Sequence, residues 1–571
     1  MTRPGVSLPV QYTPAQALRQ ECVLAGGLAM AISVLGLAYC LPHGLLLLYG
    51  DAVAHLHIAR RIVDSINPGF RQLGSVWLPL PHLLLLPFVQ KTSMWQSGVA
   101  GAPPSMAAYV LGTAGLYRLA RYWHEPWGAG VAAAFYALNP NLVYLQTTAM
   151  NEPLFLAEMI WAAVLLTGYA RAVARVLGAG SETAAVADDH RLIRRWLLGL
   201  ALVLAAAVFT RYDGWIYAAA AWCVAAWVAV RSGSLRWRSG DAFVLFTAMV
   251  VAAPLCWLTY NAKQFHDPLD FLRGPYSARA IERKTTPPGA GPRPGWHDLR
   301  MSGHYFVKTA ELDAAAAHGG NVLLVLALAG TAVALRRREG RAVLGLLWLP
   351  WPFYAYSVAY GSVPIFIPPW PPFAWYNTRY GLELLPAFAL SLGFLATAGA
   401  AWMKAWRPRW SVAAGGAALA LLVANDVALV RARPLVFAEA VENSRTRVPF
   451  EAAVARALEA LPAQGRILMY TSDHIGAVQQ AGIALRRTIN DTDDQAWAAA
   501  LAHPAQAAPF VVAMDGDALA HAVAAHPEGL TTLDVICSTG QPCARVYAAI
   551  AAIAGTHQSR VDPATHPEVA H

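Results

Sequence analysis

Long apolar runs, each closed by a short polar stretch, fill the first three quarters of the chain. We place eleven of them, at about 21–41, 105–121, 128–146, 154–171, 196–211, 214–230, 241–260, 319–335, 342–360, 380–400 and 411–430. Runs of about twenty residues are long enough to cross a bilayer as helices. Backbone polar groups in lipid must be satisfied within each segment, which favours helices, and the alternation of a β-barrel is absent. One apolar stretch, "LPLPHLLLLPFV" at 78–89, is short and broken by prolines. It is expected to be a re-entrant or surface helix inside a first outer loop at 42–104.

After residue 430 the pattern changes. "RILMYTSD", "PFVVAMD" and "TTLDVIC" read as short strands, and "HIGAVQQAG" and "DALAHAVAAH" as helices. Such alternation predicts a small α/β domain, and about 140 residues suffice to bury a core. The expected division is therefore a membrane domain at 1–430 and an α/β domain at 431–571. Cys537 and Cys543 flank "STGQP", a spacing that suits a hairpin loop closed by a disulfide in an oxidising compartment. Cys22, Cys40, Cys223 and Cys256 lie in apolar runs, where packing explains them. "TTPPGAGPRPG" at 285–295 reads as a mobile loop.

Composition agrees with the pattern. Of 571 residues, 57% are hydrophobic and only 13% charged, against about 25% charged in soluble domains. The mean hydropathy is +0.39. The net charge of +9 does not point to nucleic acid, because the basic residues form no single patch. They cluster between apolar runs: Arg118 and Arg121; Arg171, Arg175, Arg191, Arg194 and Arg195; Arg231, Arg236 and Arg238; Arg336, Arg337, Arg338 and Arg341; Lys404, Arg407 and Arg409. With a cytoplasmic N-terminus every cluster falls inside, as the positive-inside rule demands. No cleavable signal is recognised, so the first run is expected to be an uncleaved anchor. Segments 42–104, 147–153, 261–318 and 361–379, and the tail, then lie outside. The expected location is the inner or plasma membrane, multi-pass, with the C-terminal domain extracytoplasmic.

Five outer places carry ionisable residues. In the first, Asp51 and His55 stand one helical turn apart, while His57 faces elsewhere. Val53, Leu56, Ile58, Ile62 and Val63 give that helix an apolar stripe suited to a membrane surface. A plain N-cap role for Asp51 fits as well. The second is Glu152 in "TTAMNEP", either a functional acid near lipid or a helix-start acid before Pro153. The third is Arg211 and Asp213 in "TRYDGW", an ion pair or part of a site. The fourth, "YNAKQFHDPLDFLRGPYSARA" (260–280), offers Lys263, Arg273 and Tyr276 among cations and aromatics that could hold a phosphate. The fifth is Arg379 and Tyr380 in "TRYGLELLP", where Glu383 or a lipid phosphate would be the partner of the guanidinium. No Walker loop, GxSxG elbow, HExxH or Cys-rich metal pattern occurs.

Taken in order, Asp51 after the first run, "VWLPLPHLL", "TTAMNEP", "TRYDGW", "YNAKQFHDPLDFLRGPYSA" and "TRYGLELLP" resemble the GT-C glycosyltransferases. The likeness is to the family-39 and aminoarabinose-transferase-like members and covers roughly residues 20–400. It implies a polyprenyl-phosphate-linked sugar as donor, and inverting transfer of a hexose or pentose on the outer face. The acceptor would be a protein, a lipid-linked glycan or a cell-wall polymer. Asp51 matches the catalytic acid, a general base toward the acceptor hydroxyl. Glu152 matches a second acidic site that orients the acceptor or helps bind a divalent cation. Arg379 matches the basic residue at the donor phosphate. His55, Arg211, Asp213, Lys263, Arg273, Tyr276 and Tyr380 complete the substrate-binding candidates. Many relatives carry two adjacent acids in the first loop, but here Gly50 and Ala52 flank Asp51. No bound metal is therefore expected, with Mg or Mn held through His55 or His57 as the open option. Two other classes compete: a lipid or polysaccharide transporter, which needs ionisable groups deep in several spans, and a non-catalytic membrane scaffold.

Overall fold

A computed structural model describes residues 15–179, 184–237, 239–286, 288–289, 291–336, 340–406 and 410–550. Each of the eleven apolar runs is helical. Among the described residues, eight helices are long and apolar enough to cross a membrane: Ala15–Cys40, Glu152–Gly178, Asp188–Thr210, Asp213–Ser232, Gly240–Phe265, Arg341–Tyr360, Thr378–Ala405 and Gly415–Ser444. A ninth candidate is a pair, Leu299–Ala314 and Gly319–Leu335, bent by 102°. The protein is a mainly α, multi-pass membrane protein with a small C-terminal sheet.

Local chemistry explains where helices stop. The run 128–146 is two helices, Pro126–Ala137 and Pro140–Leu145. Asn139 interrupts it and caps the second, its side chain accepting from the N–H groups of Asn141 (3.0 Å) and Leu142 (3.2 Å); Pro140 follows at the first helical position. Pro79–Val89 has 11 residues, about 16 Å of helix against a core of about 30 Å, so the short stretch is a helix but no full span. Leu299–Ala314, in the predicted outer loop 261–318, starts at Asp298, whose carboxylate accepts from Met301 N–H at 2.9 Å.

The chain divides into two compact units. The first comprises the described residues that fall within 15–46, 75–84 and 101–442. Its core includes Phe155, Met159, Leu200, Leu204, Tyr217 and Phe246, from four of the spanning helices. Helices approach closely at small residues: a Cβ on Gly115 would lie 2.8 Å from the Trp161 indole nitrogen. The 285–295 segment was expected to be mobile. Within it Arg293 pairs with Glu282 at 2.7 Å, donates to Val358 O at 2.6 Å and covers the Trp296 ring. Of the basic clusters, Arg238, Arg337, Arg338, Arg407 and Arg409 lie outside the described residues, as do residues 287 and 290.

The second unit comprises 47–74, 85–100 and, from the tail, 443–550. Its strands are β1 (Ile467–Met469), β2 (Thr488–Ile489), β3 (Phe510–Met514), β4 (Leu530–Ile536) and β5 (Ala544–Ala549). They form one sheet in the order β2-β1-β3-β5-β4. β1 runs parallel to β2 and β3, while β5 is antiparallel to β3 and β4. Leu468, Val511, Leu519 and Val523 are among its core residues. Cys537 and Cys543 are disulfide-bonded across the β4–β5 connection. The helix holding Asp51 runs Gly50–Val63. Its apolar stripe was expected to meet a membrane surface, but Val53, Leu56, Ile58 and Ile62 are buried, and only Val63 of the stripe is exposed. Polar anchors lock the helix into this unit. Asp64 pairs with Arg60 (2.9 Å) and accepts from Leu485 N–H (3.2 Å), and Arg60 donates to Val89 O (2.6 Å).

Candidate active site

The first unit buries a dense set of charges where several helices begin. Glu152 and Asp213 are each the first residue of a spanning helix, where the helix dipole favours an acid. Arg379, Tyr380 and Glu383 come from a 3₁₀ turn, Thr378–Leu384, that opens another. Tyr354 comes from Pro350–Tyr360 and Glu439 from Leu435–Ser444. Arg211 stands between two spanning helices at the hub.

Arg211 donates to Asp213 (3.0 Å), Asn151 (3.1 Å), Glu152 (3.3 Å) and the Tyr354 hydroxyl (2.8 Å). Nη2, the nitrogen that donates to Tyr354, also lies 3.2 Å from Glu383 Oε1. Arg379 donates through Nε to Glu152 Oε1 (2.9 Å) and through Nη1 to Glu439 Oε1 (3.4 Å). The Tyr380 ring lies against both guanidiniums, at 4.9 Å from Arg211 and 5.1 Å from Arg379. The Tyr354 hydroxyl reaches Asp213 (2.9 Å) and Glu383 (2.7 Å). Glu152, Glu383 and Glu439 are each 1% exposed.

Two guanidiniums thus face four carboxylates. Burying uncompensated charge is costly, and the surrounding donors offset part of that cost. Asn377 N–H, Thr378 N–H and the Thr378 hydroxyl all donate to Glu439, and Gly214 N–H donates to Asp213. Glu152 Oε2 and Glu383 Oε2 have no hydrogen-bond partner, so the cluster retains acceptor capacity for a bound group. The donor set is a poor one for a divalent cation, since Glu152, Asp213 and Glu383 are already held by arginines. Among the described residues no group of three or more His, Cys, Asp or Glu is arranged to hold a metal.

The structure therefore brings Glu152, Arg211, Asp213, Arg379 and Tyr380 together. Glu383, expected as a partner of Arg379, lies against Arg211 and Tyr354. Lys263, Arg273 and Tyr276 stay outside the buried cluster: all three are exposed, and Arg273 faces Asp267 at 3.7 Å. Tyr354, Asn151 and Glu439 were not anticipated. Glu439 had a sequence signal, a lone acid within "PLVFAEAV", but it lies past the boundary drawn at 430. Tyr354 in an apolar run offered none.

Asp51 and His55 belong to the second unit. Tyr49 occupies the N-cap position of their helix, so Asp51 is not the cap; it sits in the first turn, partly exposed. His55 is buried at 2% exposure. His57 is buried too, its Nδ1 without a partner. Burial, helped by the Arg61 charge, pushes its pKa well below the usual histidine value, so it is held neutral.

No protein-family model matches the chain, and no curated protein matches it at a significant level. Solved structures do. ArnT from Cupriavidus metallidurans bound to undecaprenyl phosphate superposes with a TM-score of 0.55 at 12% identity, covering 93% of this chain and 98% of that one. Its apo form gives 0.53 at 13% identity, covering 94% and 99%. The oligosaccharyltransferase AglB from Archaeoglobus fulgidus gives a looser 0.46 at 12% identity, covering 87% and 69%. ArnT is an aminoarabinose transferase of the GT-C class, and the chain has the GT-C fold.

Proposed function

We propose that this chain is a membrane glycosyltransferase that moves a sugar from a polyprenyl-phosphate donor to an acceptor on the outer face. The observation that carries the reading is the likeness, over nearly the whole of both chains, to an aminoarabinose transferase solved with undecaprenyl phosphate. The buried Arg211–Arg379 cluster, in which the motif residues Glu152, Arg211, Asp213, Arg379 and Tyr380 meet, supports it.

In this reading Asp51 is the general base. The acceptor hydroxyl oxygen attacks the anomeric carbon from the face opposite the phosphate, and its proton passes to Asp51. The carbon–oxygen bond to the phosphate breaks, and the lipid phosphate leaves with the electron pair, inverting the anomeric centre. Arg379 stabilises the charge gathering on the leaving phosphate, and Arg211 holds the site's electrostatic frame. Glu152 fixes both guanidiniums through Oε1 and offers Oε2 to orient the acceptor. No step needs a metal. In this reading the basic helix ends face the cytoplasm and the C-terminal domain is extracytoplasmic, which the positive-inside pattern of the basic clusters supports.

The test is a panel of radiolabelled polyprenyl-phosphate sugars incubated with purified protein, comparing wild type with Asp51→Asn. Sugar release or transfer in wild type, lost in an equally stable variant, supports the reading. Full transfer by Asp51→Asn refutes the base assignment. Tight lipid binding without turnover in either form favours a transporter or scaffold.

A further inference from the structure

Glu439 lies beyond the last predicted span, on Leu435–Ser444, and is 1% exposed. A carboxylate at such a position is costly unless it is held, and this one is gripped by three consecutive residues. It accepts from Asn377 N–H (2.9 Å), Thr378 N–H (2.9 Å) and the Thr378 hydroxyl (2.5 Å), and it pairs with Arg379 Nη1 (3.4 Å). These donors are consecutive residues. The first two amides open the 3₁₀ turn that carries Arg379, Tyr380 and Glu383. Asn377 has φ 56°, the left-handed region, an uncommon conformation for a residue with a side chain. Such a conformation persists where surrounding contacts over-determine it, and the bidentate grip of Glu439 is such a contact.

We infer that Glu439 is a positioning residue for transfer: it clamps the 377–379 segment and sets the Arg379 guanidinium for the donor phosphate. The inference rests on the reading of Arg379 given above. A glutamine at 439 has one acceptor oxygen in place of two, so it cannot satisfy both amides and the hydroxyl. One buried N–H loses its partner, and Arg379 loses a charged anchor.

The experiment is a double-mutant cycle read by turnover of the polyprenyl-phosphate sugar and by binding of polyprenyl phosphate itself. Glu439→Gln is expected to slow turnover about tenfold, the equivalent of one charge-assisted hydrogen bond. In an Arg379→Ala background the same change is expected to cost nothing further. Thr378→Val, which removes only the hydroxyl bond and keeps the shape, is expected to slow turnover in the same direction and less. It decides the matter if Glu439→Gln fails to fold. Equal losses in both backgrounds, or none, overturn the inference while leaving the enzyme reading intact. A wild-type protein that neither binds polyprenyl phosphate nor turns over overturns both.

Discussion

Replacing Arg211 by methionine keeps the apolar stem and deletes the charge at the hub of the cluster. The head contacts Asp213, Glu152, Glu383, Asn151 and Tyr354 within 3.3 Å, and the side chain is 11% exposed. Solvent cannot replace those contacts, and one guanidinium would then face four carboxylates. Removing one partner of a buried pair costs about 3–5 kcal/mol, whereas an exposed pair contributes about 0–1 kcal/mol. The Arg273–Asp267 pair, at 3.7 Å with Arg273 66% exposed, is the matched control. Thermal unfolding in detergent, followed by tryptophan fluorescence, should show a large drop in midpoint for Arg211→Met and almost none for Arg273→Met. Adding Asp213→Asn to Arg211→Met should restore part of the loss, because a charge left unpaired costs more than a pair removed. Equal midpoints for the two arginine variants, or a double variant weaker than the sum of its singles, would refute the claim that a buried charge balance holds this site together.

Gly381→Ala should disrupt the same site: a Cβ there would lie 2.5 Å from Asp313 Oδ2 and 2.6 Å from Ala310 N. Overpacking of that kind costs about 1–3 kcal/mol, and both the thermal midpoint and transfer should fall. The second unit should lose stability in acid through His57, whose folded pKa is depressed. The unfolded chain takes up a proton as pH falls through about 6.5 while the folded one resists, so the loss begins there and deepens until the folded pKa is reached. His57→Gln should flatten that slope between pH 7.5 and 5.5. Asp493 works in the opposite sense, since burial raises its pKa to about 6; the stability it contributes is present in acid and lost as pH rises through that value, so Asp493→Asn should help most at neutral pH. Reducing the Cys537–Cys543 bond, which closes a sequence separation of 6, should cost about 2 kcal/mol. A Cys537→Ser/Cys543→Ser variant should unfold at one midpoint with or without reductant.

The spans were legible because lipid imposes a simple rule, and apolar runs of bilayer length became helices. The rule fails where burial is in protein rather than lipid. Leu299–Ala314 carries Ser302, Thr309 and Asp313 inward, so its sequence reads as loop. The Gly50–Val63 stripe has the amphipathic spacing of a surface helix, but its apolar side packs within a folded unit. Spacing reports that a face is apolar and not what covers it. In the site, motifs with a local charge pattern were readable: Arg211 with Asp213, and Arg379 near Glu383. The partners were not. Glu152 and Arg379 are 227 residues apart in sequence, and the phenol of Tyr354, which bridges Asp213 and Glu383, looks like one more aromatic in a span. The β1, β3 and β4 strands announced themselves by apolar runs, whereas the two-residue β2 is too short to signal.

Release of the lipid phosphate is the most direct test of the central claim. Purified protein is given each polyprenyl-phosphate sugar with candidate acceptors, and polyprenyl phosphate is quantified by mass spectrometry for wild type and Asp51→Asn. The account predicts acceptor-dependent release in wild type, a collapse of that release in Asp51→Asn, and unchanged lipid-phosphate binding by the variant. Release that continues undiminished in Asp51→Asn, or an intact donor across the whole panel while the protein binds it tightly, would contradict it.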